Sequence, residues 1–202
     1  MPLVLFPVLT VLAYAFVGGH IFFDKHTGAK SFSHLAVMLN LVTLAIIFAT
    51  QKRMPLGGLF ETCAEMSLVV GVIYAFFIPM DLKKLSLTMV AVSIILMIVS
   101  FLGGLKSFPH LSQDVSWWLQ FSMQSHLCAG GLLLFCLICL FYTVLSKDKS
   151  HTEEILGFAR TGVLAAIVVL VLGILGTMMW NFVVTGEMLL WTKRLLMSFA
   201  FV

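Results

Sequence analysis

Charge is what this chain of 202 residues most lacks: Asp, Glu, Lys and Arg together supply only 10% of it, against about a quarter in soluble domains. That scarcity excludes an ordinary water-soluble globule. The net charge of +3 comes without any dense basic cluster, which argues against a nucleic-acid partner. Cysteine is sparse as well. Cys63, Cys128, Cys136 and Cys139 lie in or beside apolar runs with no metal-ligand spacing, so they read as small hydrophobes. No serine or cysteine has an evident base beside it in sequence, which argues against nucleophilic or hydrolytic chemistry. The first apolar run, "LVLFPVLTVLAYAFVGGHIFF", lacks the basic flank and small-residue cleavage site of a signal peptide, and reads as a retained helix. No pair of Gly/Pro-broken spans recurs in two halves, as inverted-repeat transporters require.

What the chain has instead is hydrocarbon. Hydrophobic residues make up 61% of it, and the mean hydropathy is +1.10. The polar residues are clustered, leaving apolar runs of roughly 20 residues, enough to cross about 30 Å of bilayer as helices. These runs predict an all-α, polytopic helical membrane protein forming a single domain over 1–202. Six spans are expected, near 3–23, 33–50, 60–79, 86–105, 117–145 and 158–183, with a short or partial seventh from about 189. The last stretch, "TKRLLMSFAFV", has the length of about half a span. The connection over 106–118 carries a Pro, a His and two Trp, a mixture suited to the headgroup region. Alternate loops hold Lys25, Lys30, Lys83, Lys84, Lys147, Lys149 and Arg160 on one side, and Lys52, Arg53, Lys106, Lys193 and Arg194 on the other. The more basic side is expected to be cytoplasmic. The amino terminus would then lie outside a bacterial cytoplasmic membrane, or its organellar equivalent.

Polar residues inside a membrane are costly, so each asks for a reason. His20 and His34 fall near the inner ends of the first two spans, His126 in the outer half of the fifth, and His110 in the outer connection before it. Two histidines towards each face are candidates for ligating haem iron. The plainer reading makes them interfacial or interhelical hydrogen-bonding groups. Glu61 and Glu65, four residues apart in "PLGGLFETCAEM", share one helical face. First-turn carboxylates satisfy free N–H groups and the positive end of the helix dipole, which accounts for Glu61 better than for Glu65. A proton relay or a quinone contact is the functional alternative. Asn40 and Asn181 read as interhelical hydrogen-bonders.

Three segments carry a family resemblance. "PLGGLFETCAEMSLV" resembles the Pro-Leu-x-x-Leu-Tyr-Glu-Ser segment of the cytochrome c-type biogenesis haem-handling proteins, the CcsA/ResC/CcmC/CcmF superfamily. "WWLQFSMQSHLCAGGLLLF" is similar to the family's outer segment and following helix, and it sets His126 where the family has an external haem-ligating histidine. "GFARTGVLAAIVVLVLGILGTMMW" resembles the helix leading into the tryptophan-rich signature, with Gly173, Ile174, Leu175 and Trp180 in place. The signature itself is mostly replaced by "TGEMLLWTKRLL": Gly186 and Trp191 keep their spacing, whereas Thr185, Leu189 and residues 192–195 depart from it. The family's remaining haem-ligand histidines follow that signature and would lie beyond Val202.

The resemblance implies a divergent haem-handling protein that delivers haem to outward-facing apocytochrome c, beside a ResB-like assembly partner. His126 would be its iron ligand, with Trp118, Trp180 and Trp191 as cofactor-side aromatics. The alternative is a membrane subunit of a respiratory or electron-transfer complex, scaffolding cytochrome or iron–sulfur partners and binding quinone or haem b. Either way the expected work is binding and relay within a lipid bilayer, rather than covalent catalysis.

Overall fold

A computed structural model describes residues 2–51, 58–79, 82–103, 117–145 and 151–186, and all regular structure among them is helical. The helices are α1 (Pro2–Phe22), α2 (His26–Gln51), α3 (Leu59–Phe77), α4 (Lys83–Gly103), α5 (Trp117–Leu145) and α6 (Thr152–Thr185). All six are long and apolar enough to cross a membrane. The region of the expected seventh span lies outside the described residues.

Two boundaries differ from the sequence expectation. α2 begins at His26 and α6 at Thr152, so segments expected as polar connections are helical. Polar residues end an apolar run without ending a helix, because backbone bonding continues past the hydrocarbon edge. What breaks α1 from α2 is Asp24, whose φ of 56° lies in the left-handed region that short polar side chains tolerate. The turn is tied down from α4. Lys83 Nζ donates to Asp24 Oδ1 at 2.7 Å and to the Phe22 carbonyl at 3.1 Å. α6 stops at Gly186, whose φ of 76° and N–H bond to the Phe182 carbonyl form a left-handed helix cap.

α3 is the central helix. Its span is 61% buried, against 33–39% for the others, and it packs on α2, α4 and α5. Lipid tails are as apolar as leucine, so membrane helices associate through close packing and interhelical hydrogen bonds. Both devices are visible. α4 buries Ser86, Ser93 and Ser100 at seven-residue intervals, with Met89, Val90 and Met97 between them. Opposite, α1 buries Thr10, Tyr14, Val17 and Ile21. α5 approaches α3 through Gly131, where a Cβ would come within 2.8 Å of Val69. Among the described residues α6 packs on α5 alone. Its outer face, including Leu164, Val168 and Leu175, is apolar and exposed, as suits a helix against lipid.

Candidate functional site

α5 and α6 run antiparallel along a seam of small residues. The register is set where the Ser122 and Thr177 hydroxyls meet at 2.5 Å, and Cys136 Sγ donates to the Ala159 carbonyl at 3.4 Å. Within this seam His126 of α5 fills the space left by Gly173 of α6. A Cβ on that glycine would stand 2.9 Å from ring atoms Cε1 and Nδ1. His126 Nδ1 lies 2.7 Å from the Ser122 carbonyl. A carbonyl can only accept, so Nδ1 carries the hydrogen and the imidazole lone pair is on Nε2. Metal-binding histidines are oriented in this way, their second nitrogen donating to a carbonyl or carboxylate. Continuing the same register sets Trp118 level with Trp180 and Asn181, about 12 Å nearer the Trp117 end at 1.5 Å per residue. Trp118 is 37% exposed and Trp180 half-buried.

The other histidines occupy different surroundings. His20 stacks on Phe32 at 5.1 Å, and Phe32 stacks on Phe16 at 5.6 Å. The His20 ring covers Gly28, and its buried Nδ1 has no hydrogen-bond partner among the described residues. His34 turns towards α3, edge-on to Phe76 at 4.9 Å, with Nδ1 donating to the Lys30 carbonyl at 2.6 Å. His20 thus engages the α1–α2 seam and His34 the α2–α3 side. The α1 and α5 backbones do not approach one another among the described residues, and His20 and His126 have no neighbour in common there. Among the described residues no group of three or more His, Cys, Asp or Glu is placed to hold a metal ion.

The two acids of α3 are both buried, each 4% exposed. Glu61 lies in the first turn, as helix-end neutralisation requires. Glu65, one turn deeper, faces α5, where the Gln124 amide is within hydrogen-bonding reach and Cys128 lies beside it. Its Oε2 is buried without a partner among the described residues. Beside Glu65, Asn40 Nδ2 donates to the Ala64 carbonyl at 3.1 Å, leaving its own Oδ1 unpartnered. The polar layer continues across four helices. Ser67 Oγ donates to the Ser93 carbonyl at 3.2 Å, and Tyr14 Oη approaches the Ser67 carbonyl at 3.5 Å, close to Asn40 and Ser93.

Asn40 is legible in sequence as an interhelical group, whereas no local pattern marks its neighbours Tyr14 and Ser67, or Gln124 beside Glu65. The seven-residue spacing of the α4 serines is the sequence signal that points to this layer. A buried carboxyl with an unpaired oxygen contributes little to packing, which yields a stability test. Gln124→Leu alone should cost about 1–3 kcal/mol by stripping Glu65 of its amide. The Glu65→Leu/Gln124→Leu double variant should return to within about 1 kcal/mol of the parent, since replacing both partners by apolar groups is nearly neutral. Thermal denaturation in detergent, followed by circular dichroism, measures both. An uncompensated loss in the double variant would make Glu65 a structural residue.

His110, Trp191, Pro55 and Gly57 lie outside the described residues. No family model, curated protein or solved structure matches this chain.

Proposed function

We propose that this chain is a divergent haem-handling membrane protein of the CcsA type, delivering haem towards apocytochrome c at the outer face, with His126 as an iron ligand. The observation that carries this reading is spatial. The three segments with the family resemblance are distant in sequence yet meet on α5. Gly173 of the third seats His126 of the second, and Glu65 and Val69 of the first pack beside Gln124, Cys128 and Gly131 of the second. Haem here is cargo, and its iron supplies the coordination bond by which it is held. The protein's part is to fix the imidazole through the Ser122 carbonyl and to offer apolar and aromatic surface, Trp118 and Trp180 included, near the Trp117 end. Purified protein incubated with haemin should retain about one haem per chain by the pyridine haemochrome assay, the stoichiometry of a single dominant histidine site. Protein that passes a desalting column free of haem would sink the proposal.

A second reading is favoured by a different observation. Glu65 is a membrane-buried acid that haem ligation by His126 does not employ, and intramembrane acids commonly serve proton or quinone chemistry. On that reading the chain is a membrane subunit of an electron-transfer complex. Co-purification with cytochrome or iron–sulfur subunits in constant stoichiometry supports it, whereas migration as a free monomer after mild detergent extraction removes it.

A further inference from the structure

The first turns of α4 lie opposite the last turns of α5, where both helices line one cleft of about 610 Å³. Its walls are mainly apolar, with Val92 on α4 and Leu137, Ile138 and Phe141 on α5, and Lys84, Thr88 and Tyr142 bring the polar groups; the Thr88 hydroxyl donates to the Lys84 carbonyl. From Lys84 to Val92 is eight residues, about 12 Å along the helix, close to the hydrocarbon depth of one leaflet, about 15 Å. The two adjacent lysines differ in their commitments. Lys83 is bound to Asp24 and the Phe22 carbonyl. Lys84 is exposed, has no carboxylate partner among the described residues and lines the cleft.

We infer that this cleft binds one anionic phospholipid from the leaflet at the Lys84 end, its phosphate on Lys84 and an acyl chain along Val92, Leu137 and Phe141. Charge complementarity selects the occupant. An ammonium with no carboxylate partner among the described residues attracts a phosphate carrying net negative charge, whereas a zwitterionic lipid brings its own cation and a quinone brings no charge. Basic pockets between membrane helices hold anionic headgroups in this manner. Lysine also suits the position, since its stem can lie along the apolar wall while the ammonium stays at the interface. In the orientation expected from loop charge, this end faces the cytoplasmic leaflet, where anionic lipids concentrate. This inference is independent of haem binding.

Native mass spectrometry of the purified protein, titrated with phosphatidylglycerol and phosphatidylcholine of matched chains, tests it. The expected result is one retained phosphatidylglycerol with a preference of about fivefold, the contribution of a single interfacial lysine. Lys84→Gln should abolish the preference, and Lys30→Gln, removing a lysine of α2, which packs on α1 and α3 and does not line the cleft, should preserve it. Val92→Trp should fill the apolar floor and displace either lipid, with thermal denaturation confirming that each variant is folded. Equal retention of the two lipids, or an unchanged preference in folded Lys84→Gln, overturns the proposal. A protein dimer that disappears in Val92→Trp would also overturn it, by assigning the cleft to a second copy of the chain.

Discussion

Replacing His126 by alanine is expected to reduce bound haem at least tenfold, read as the loss of the pyridine haemochrome signal from purified protein. Second-shell changes around metal-bound histidines already lower affinity by about 10–100-fold, and removing the ligand itself should do no less. The substitution also empties the space above Gly173, so the loss must be separated from repacking. Two further measurements do that. Imidazole added to His126→Ala should restore a low-spin Soret band, because the deleted group returns as a free ligand while the helix seam stays unchanged. Gly173→Leu keeps the histidine but drives a side chain into the 2.9 Å approach at Cε1 and Nδ1. It should shift the Soret maximum or lower haem retention, with His126 still present. A His126→Ala variant that holds haem with an unaltered spectrum would remove His126 from the mechanism and leave the haem proposal to the remaining histidines.

The largest expected effect on stability comes from Gly71→Leu. Gly71 sits midway along α3, where a Cβ would run into the Tyr14 hydroxyl and stand 3.4 Å from Val37 Cγ2. Tyr14 is fully buried, so it cannot swing aside without breaking the polar layer it shares with Ser67, Asn40 and Ser93. Overpacking a close-packed interior costs about 1–3 kcal/mol. This site belongs at the upper end, because α1, α2 and α3 all meet there. The variant should elute as aggregate, or unfold at markedly lower temperature in detergent. Gly157→Ala is the matching control: no atom lies within 4 Å of its added Cβ, so the better helix propensity of alanine should raise stability by up to about 1 kcal/mol. Equal behaviour of the two variants would contradict the packing described for α3.

The candidate site was only partly legible in sequence. His126 could be singled out because a histidine is conspicuous in an apolar run, and because the motif around it resembles a family pattern. Nothing in that run says that its ring lies against Gly173, since helix pairing is a long-range property. Glu61 and Glu65 were legible as a pair on one helical face, but their burial was not. The sequence before α3 suggests a solvated helix end, whereas α5 packs beside Glu65 and Glu61 is buried as well. Tyr14 illustrates the converse case. A lone tyrosine in an apolar helix carries no sequence signal, and it becomes a polar contact only when α2, α3 and α4 bring Asn40, Ser67 and Ser93 around it.

The sequence by itself determined the class and the number of described spans. Burying a peptide group in lipid without a hydrogen bond costs several kcal/mol, so each apolar run of sufficient length must become a helix whatever its neighbours do. Tertiary structure alone decided which helix is central, which small residues face which bulky ones, and where α4 and α5 part around Lys84. Apart from a few polar positions such as the α4 serines, these helices are apolar on all sides, so hydropathy alone does not distinguish a lipid-facing stripe from a buried one. In a bilayer that choice falls to steric fit and to a few interhelical hydrogen bonds, such as Asn40 to Ala64 and Ser67 to Ser93.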